Sequence, residues 1–302
     1  MLDPCIEVID PRFGKMVHGN AHLDTLWTGA RWCEGPAYFP AGKYLIWSDI
    51  PNDRVMRWDE CSGETTVFEA GCRNQNGHTV DLEGRLISCE HRGRCVSRIE
   101  HDGTRRVLAD SFDGKKLNSP NDVVVKSDGT IWFTDPTYGI DSEYEGDKSP
   151  AEQDGSYVFR IALDGTVSKV IDDMVKPNGL AFSVDESLLY VADTGMTHVP
   201  ECEPAIRAYT VAADGQTVSG GRTICVSDAG LFDGFRIDTN GNIWSSAADG
   251  IHCYAPDGTL LGKIHIPEVV ANLCFGGIKK NRLFICGTTS IYAMYVNAQG
   301  SL

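Results

Sequence analysis

The chain has 302 residues, with 27 Lys or Arg and 42 Asp or Glu, so its formal net charge is −15. Such an acidic surface repels phosphate groups, which argues against nucleic acid and anionic membranes as partners. No run of about 18 apolar residues is present, so the sequence predicts no transmembrane helix. The length is ample for one large domain, because all-β folds reach it as a single unit.

The N-terminal segment and the cysteines indicate a cytoplasmic protein. Residues 1–15 lack the basic start and apolar stretch of a signal peptide. The 11 cysteines are an odd number and contain no CxxC spacing, so we expect reduced thiols rather than disulfides or a zinc–thiolate site.

A short apolar run that ends in a small or polar residue recurs along the whole chain. In chain order, its copies are YLIWSD (44–49), RLISCE (85–90), TIWFTD (130–135), LLYVAD (188–193), NIWSSA (242–247) and RLFICG (282–287). The spacing between corresponding positions is 40 to 58 residues. Six strand-rich units of this size predict an all-β fold, a six-bladed β-propeller.

Each unit also contains other strand candidates. Asp-Gly dipeptides, which accept left-handed backbone angles, mark turns at 102–103, 128–129, 164–165, 214–215 and 257–258. The candidates are rich in β-branched and aromatic residues, and none shows helical periodicity over the length of a helix. We therefore expect four antiparallel strands in each blade. The run upstream of each repeat is the innermost strand: EGPAYF (34–39), NGHTVD (76–81), NDVVV (121–125), NGLAFS (178–183), DGFRID (233–238) and NLCFGG (272–277).

The two ends of the chain indicate how the ring of blades closes. The last unit ends near residue 296 without a fourth strand, and the segment 22–29 precedes the first unit without a partner. We expect 22–29 to supply the outer strand of the last blade, which leaves no raw junction between the chain ends. The propeller then spans 22–302, and residues 1–21 form an N-terminal extension. The alternative is that 22–29 is a disordered tail.

The innermost strand of every predicted blade begins with an acid or an amide. These residues are Glu34, Asn76, Asn121, Asn178, Asp233 and Asn272. Innermost strands line the channel of a propeller, so the six side chains should converge at one mouth. Their oxygens suit a hard divalent cation, which would also relieve repulsion between the two carboxylates. The sequence therefore predicts a central metal-binding channel. The alternative is that these residues only cap turns.

The ends of the second strands and the loops that follow them should lie at the same mouth. Glu90 ends one such strand and His91 follows it, and Tyr138 and His198 lie in two long loops, 136–156 and 194–205. Long loops on a rigid scaffold often carry binding residues, so these four side chains are candidate substrate contacts. The alternatives are bland surface loops and hydrogen-bonded histidines, and whether the loops move as lids stays open.

Several long segments resemble the gluconolactonase branch of the senescence-marker-protein/gluconolactonase family. The resemblance covers nearly the whole chain after about residue 25. The segments that carry it are EGPAYF (34–39), WSDIPNDRVMRW (47–58), NGHTVD (76–81), CEHRGR (89–94), KLNSPNDVVVKSDGTIWFTDPTYGI (116–140), PNGLAFSVDESLLYVADTG (177–195), DGFRID (233–238) and GKIHIPEVVANLCFGG (262–277).

The resemblance implies one divalent metal in the channel. Its ligands would be Glu34, Asn121, Asn178 and Asp233, with calcium expected first and zinc, manganese, magnesium or iron as alternatives. Asn76 and Asn272 would then be channel neighbours that contact the substrate. Some relatives have an arginine that helps to bind sugar lactone where this chain has Ser119, which leaves the substrate's identity in question.

The sequence therefore predicts a metal-dependent hydrolase that opens a small, sugar-derived lactone. A metal in the channel would polarise the carbonyl. Asp233, to which the resemblance points and which is one of only two acids in the ring, would accept the proton of the attacking water. No GxSxG motif is present, which argues against a serine esterase. The alternatives are a metal-dependent phosphotriesterase on the same propeller and a non-catalytic binding propeller. The sequence does not determine the oligomeric state.

Overall fold

The protein is described here by a computed structural model that covers residues 2–301. Four-stranded antiparallel sheets form six blades, one of which has a fifth strand. The innermost strands contact one another in sequence, and the innermost strand of the last blade contacts that of the first. This closed ring confirms the six-bladed β-propeller that the repeat predicts.

The first half of the chain forms the N-terminal strands and the first three blades. The N-terminal elements are β1 (Ile6–Val8), a 3₁₀ turn (Phe13–Lys15) and β2 (Asp24–Thr28). Blade 1 contains β3 (Cys33–Phe39), β4 (Tyr44–Asp49), a 3₁₀ turn (Ile50–Asn52), β5 (Arg54–Asp59) and β6 (Thr65–Ala70). Blade 2 contains β7 (Gln75–Val80), β8 (Leu86–Glu90), β9 (Cys95–Ile99) and β10 (Arg105–Ala109). A small ribbon, β11 (Ser111–Phe112) with β12 (Lys115–Lys116), precedes blade 3, which has β13 (Val123–Val125), β14 (Ile131–Asp135), the short helix α1 (Tyr138–Asp141), β15 (Tyr157–Ile161) and β16 (Val167–Ile171).

The second half of the chain forms the other three blades. Blade 4 contains β17 (Pro177–Phe182), β18 (Leu188–Asp193), a 3₁₀ turn (Gly195–Thr197), β19 (Ala205–Val211) and β20 (Val218–Val226). Blade 5 contains β21 (Phe235–Ile237), β22 (Ile243–Ala247), β23 (Gly250–Tyr254) and β24 (Leu260–His265). Blade 6 contains β25 (Val270–Gly276), β26 (Arg282–Gly287) and β27 (Ser290–Tyr295).

The recurring apolar run corresponds to the second strand of each blade. These strands, β4, β8, β14, β18, β22 and β26, are buried along almost their whole length. Both faces of such a strand pack against neighbouring blades, so apolar residues do not alternate with polar ones. The fourth strands of blades 1 and 2, β6 and β10, are mostly exposed or half-buried. They therefore lack the continuous apolar run that marks the second strands in the sequence.

An N-terminal strand completes blade 6, the last blade of the ring. Strand β2 pairs antiparallel with β27, with Asp24 opposite Ala293 and Thr28 opposite Ser290. It therefore occupies the outer position of the sheet β2-β27-β26-β25. The Trp27 ring lies 5.5 Å from that of Trp47 in blade 1 and so ties the closing strand to the next blade.

The N-terminal extension also packs on the propeller, a contact that the sequence analysis did not foresee. Strand β1 pairs with β24 as a fifth strand of blade 5. Phe13 is fully buried, with its ring 5.7 Å from that of Trp244. Glycine at position 262 makes room for it, because a Cβ there would lie 2.1 Å from the Phe13 ring.

Two further sequence expectations concern membranes and thiols. Within residues 2–301, no helix has the length and apolar character needed to cross a membrane. All 11 cysteines are free thiols, and most are buried.

Replacing Phe13 by alanine tests whether the extension stabilises the propeller. We expect Phe13→Ala to lower the free energy of unfolding by about 3–5 kcal/mol, as for other buried phenylalanines, because it leaves a cavity against Trp244. Chemical denaturation followed by tryptophan fluorescence measures the loss. The control is Phe68→Ala, at a position that is 39% exposed. Equal stability of the two variants would show that the extension is only loosely attached.

Candidate metal and substrate site

A cavity of about 320 Å³ opens at one mouth of the channel. Five of the six polar residues that begin the innermost strands line it: Glu34, Asn76, Asn121, Asn178 and Asp233. The sixth, Asn272, lies behind Glu34 and donates a hydrogen bond from Nδ2 to Glu34 Oε2 over 3.0 Å. All six predicted residues therefore lie close together at this mouth, and Asn272 alone among them does not line the cavity.

Glycines beside the polar residues explain why the ring is so tight. The amide of Gly77 donates to the carbonyl of Asn121 over 2.8 Å, and the amide of Gly179 donates to that of Asp233 over 3.1 Å. A Cβ on either glycine would lie within 2.4 Å of the accepting oxygen. Neighbouring blades can approach this closely at the axis only where a side chain is absent.

The two carboxyl groups of the ring resist ionisation in the protein alone. Burial raises the pKa of Glu34 to about 8, although the Gly35 amide and Asn272 partly stabilise its anion. Burial and the neighbouring Glu34 charge raise the pKa of Asp233 well above its usual value. A bound cation would offset both the desolvation and the repulsion.

The donor set fits a hard divalent cation. Beside the four proposed ligands, Oδ1 of Asn76 is buried without a hydrogen-bond partner, which is unusual for an amide oxygen and leaves it available to a substrate group. Asn178 uses Nδ2 in a 3.4 Å contact to Thr194 Oγ1, which leaves its own oxygen free. The described residues contain no cluster of three or more His, Cys, Asp or Glu side chains suited to a metal, so a cation held here would need amide oxygens among its ligands.

His91 holds the Asn76 amide in place. Its Nε2 lies 3.1 Å from Asn76 Nδ2, and its Nδ1 lies 3.1 Å from the Glu145 carbonyl oxygen. This network requires Nδ1 to carry the proton and Nε2 to accept from the amide. Burial lowers the pKa of His91 to about 4, so the ring is neutral at physiological pH. His91 therefore orients a cavity residue but does not line the cavity itself.

Tyr138 lines the cavity and joins the two long loops. Its hydroxyl lies 2.7 Å from Thr194 Oγ1 and 2.9 Å from Thr197 Oγ1. Burial raises the pKa of Tyr138 to about 12, so the phenol stays protonated. His198 packs against the Tyr138 ring at 5.7 Å, yet it lies outside the cavity wall, with Nε2 3.1 Å from Asp141.

Two other predicted contacts lie away from the cavity. Ser119 is buried and donates to the Pro136 carbonyl over 2.7 Å, while its oxygen accepts from the Gly139 amide over 2.9 Å. Glu90 is buried in an ion network, 2.7 Å from Arg105 and 3.1 Å from Arg73. Ser119 therefore anchors the start of the long loop, and Glu90 stabilises blade 2.

One acidic group and the apolar part of the cavity wall were not predicted from the sequence. Glu145, from the loop 136–156, lines the cavity, and burial raises its pKa to about 7. The apolar part of the wall is formed by Trp32, Leu231, Val269 and Val270. Loop length signalled that a binding residue lay in 136–156, but no repeat singled out Glu145.

The described site lies within a segment that matches a known family. The model of the SMP-30/Gluconolactonase/LRE-like region matches residues 32–290. The chain belongs to this family. The match contains all five polar residues that line the cavity, together with Asn272, Tyr138 and Glu145.

Two relatives with similar sequences are named as lactonases. The gluconolactonase of Zymomonas mobilis is 30% identical, and the alignment covers 95% of this chain and 84% of the relative. The pentonolactonase XacC of Haloferax volcanii is 31% identical, over 85% of this chain and 82% of the relative.

Solved structures share the fold. That of XC5397 from Xanthomonas campestris, a gluconolactonase, superposes with a TM-score of 0.89 at 36% identity, covering 96% of this chain and 94% of that one. A calcium-binding regucalcin from Agrobacterium tumefaciens gives a TM-score of 0.75 at 18% identity, covering 91% and 94%, and so supports the fold alone.

The buried carboxyl groups predict how the stability of chelator-treated protein depends on pH. A carboxyl group with a raised pKa costs stability once it ionises, so its contribution falls as the pH rises from about 4.5 to about 8. We expect the melting temperature to fall over this range, and to fall less in Glu34→Gln. Differential scanning fluorimetry compares the two proteins, with Glu143→Gln, an exposed acid, as the control. If the melting temperatures of all three proteins depended on pH in the same way, ionisation of Glu34 would not be a source of the instability.

Proposed function

We propose that this protein hydrolyses a small, sugar-derived lactone with the help of one divalent cation. The observation that carries the proposal is the pairing of two buried carboxyl groups, Glu34 and Asp233, with the amides of Asn121 and Asn178 around one cavity. Similarity to gluconolactonases and a pentonolactonase over most of the chain supports lactone opening as the reaction.

Glu34, Asn121, Asn178 and Asp233 would hold the cation. Four oxygen donors favour calcium, magnesium or manganese over softer metals, and calcium is the first expectation, with zinc and iron as alternatives. When bound, the cation supplies Lewis-acid polarisation of the lactone carbonyl. Asn272 donates a hydrogen bond to one oxygen of Glu34. Because this bond holds the Glu34 side chain in place, Glu34 would serve mainly as a fixed ligand of the cation.

Asp233 is the proposed general base, which takes the proton from water as the water attacks the carbonyl. Ring opening then releases an alkoxide that needs a proton. Because burial raises the pKa of Glu145 to about 7, part of this group is protonated near neutral pH and can donate it. Asn76, oriented by His91, offers its free Oδ1 to a substrate hydroxyl.

The shape of the cavity favours a compact ring. Its volume of about 320 Å³ lies at the small end of ligand pockets. The apolar wall formed by Trp32, Leu231, Val269 and Val270 can pack on the carbon face of a ring, and the amides and carboxyl groups face its oxygens. Ser119 has both hydrogen bonds committed to the loop, so sugar recognition would depend on Asn76, Tyr138 and Glu145 instead.

A pH-indicator assay tests the function. The substrates are glucono-1,5-lactone, pentono-1,4-lactones and γ-butyrolactone, each with added calcium, magnesium, manganese, zinc or iron(II), or with chelator. We expect metal-dependent acid release above the spontaneous rate, with sugar lactones preferred over γ-butyrolactone. A phosphotriester and a linear ester serve as negative controls. Hydrolysis that survives chelation, or hydrolysis of the phosphotriester alone, would contradict the proposal.

Matched variants separate the base from the fixed ligand. Asp233→Asn keeps an oxygen donor but removes the base, so turnover should fall by roughly 10²–10⁴-fold at saturating metal. Glu34→Gln should mainly weaken cation affinity, so excess metal should restore much of the rate. Steady-state kinetics over a metal titration measures both effects. If saturating metal returns Asp233→Asn to wild-type turnover, the base is another group.

A further inference from the structure

The channel has a second mouth with its own cavity, of about 310 Å³. The polar ring lies where the innermost strands begin, whereas this cavity is lined at the opposite ends of the same strands. Residues from all six innermost strands contribute: Tyr38, Val80, Val125, Phe182, Ile237 and Gly276. None of the proposed metal ligands lines it, so it is a separate space, here called the lower cavity.

The lower cavity is largely apolar, and no Asp or Glu side chain of residues 2–301 lines it. Tyr38, Val124, Phe182 and Phe275 form much of the wall, and Leu82, which is 65% exposed, lies at the rim. Although the chain has 42 acidic residues, none is among the residues that line this cavity within the described range. An apolar, acid-free cavity is conspicuous in a protein with a net charge of −15.

Its charged side chains are both cations. Arg236 and Lys280 line the lower cavity, and burial lowers the pKa of its one histidine, His78, to about 3, so that ring is neutral. Through Nη1, Arg236 donates to the Phe235 carbonyl over 2.7 Å, and the same atom lies 3.5 Å from Asp122 Oδ2. Within residues 2–301, Nε and Nη2 donate no hydrogen bond.

A partly buried guanidinium with unused donors in an apolar cavity favours an anionic partner. Desolvation strengthens a hydrogen bond to a charged oxygen, and two donors of one guanidinium match a carboxylate. Burying the hydrocarbon part of such a partner against the apolar wall is favourable. Burying many hydroxyl groups there is unfavourable, because they would lose hydrogen bonds to water. These two requirements describe one class of molecule.

We propose that the lower cavity binds a small organic carboxylate with an aromatic or branched aliphatic body. Arg236 receives the carboxylate, Lys280 adds positive potential at the rim, and Tyr38, Phe182 and Phe275 contact the apolar body. A sugar acid, the product of lactone opening, is a poor ligand here because its hydroxyl groups find few partners. The site therefore differs in chemistry from the cavity at the other mouth.

Isothermal titration calorimetry with 3-phenylpropionate tests the proposal, using both metal-loaded and chelator-treated protein. We expect 3-phenylpropionate to bind in both preparations, because none of the residues proposed to coordinate the metal lines the lower cavity. The neutral analogue 3-phenylpropionamide should bind at least about tenfold more weakly, since it lacks the charge that Arg236 would pair with. Gluconate should not compete. Absence of 3-phenylpropionate binding, or equal binding of the amide, would overturn the proposal.

Variants locate the site. Thr79 lines the lower cavity and is half-buried, so Thr79→Trp should fill the space, weaken 3-phenylpropionate binding at least about tenfold and leave lactone turnover unchanged. Lys280→Gln should weaken binding by a smaller factor, and Arg236→Gln by a larger one in protein whose circular dichroism matches wild type. Because Arg236 also faces buried Asp122, Thr79→Trp carries the test independently of it. Wild-type affinity in Thr79→Trp, or binding that requires metal, would place the ligand elsewhere.

Discussion

The close approach of neighbouring innermost strands at the propeller axis determines the rest of the structure. The amides of Gly77 and Gly179 donate to carbonyls of the next blade, and any Cβ at these glycines would collide with the acceptor. This contact forces the side chains of Glu34 and Asp233 into one small, desolvated space. The fold therefore creates an electrostatic cost, visible in the raised pKa values of both carboxyl groups, which a cation is well suited to offset.

Much of the fold and part of the site could be predicted because each repeat places one residue at the same structural position. The position of the innermost strand in the six repeats predicts Glu34, Asn76, Asn121, Asn178 and Asp233 as channel residues, and all five line one cavity. The repeat could not separate them from Asn272, because all six share a backbone position. What distinguishes Asn272 is side-chain direction, which is fixed by its contact with Glu34 and not by sequence spacing.

The remaining residues were difficult to predict for different physical reasons. Glu90 ends a second strand on the expected face. Its burial depends on ion pairs with Arg73, which precedes the first strand of blade 2, and with Arg105 on the fourth strand. Glu145 lies in a loop without a repeat, so nothing in the sequence set it apart from the acids around it. Strand β1 has only three residues and no counterpart in the repeat, and the packing of Phe13 on Trp244 depends on a glycine at position 262.

Although the six blades repeat the same backbone, their charges are segregated along the axis. Acids and amides gather where the innermost strands begin, and a guanidinium with apolar neighbours lies where they end. Between them, buried Asp122 faces Arg236 on one side, and its negative charge adds to the raised pKa of both Glu34 and Asp233 on the other. Any anion that Arg236 receives partly neutralises the charge facing Asp122, and so makes the potential beneath the two carboxyl groups more negative. The two mouths of the channel are thus separate as spaces but connected through one buried ion pair.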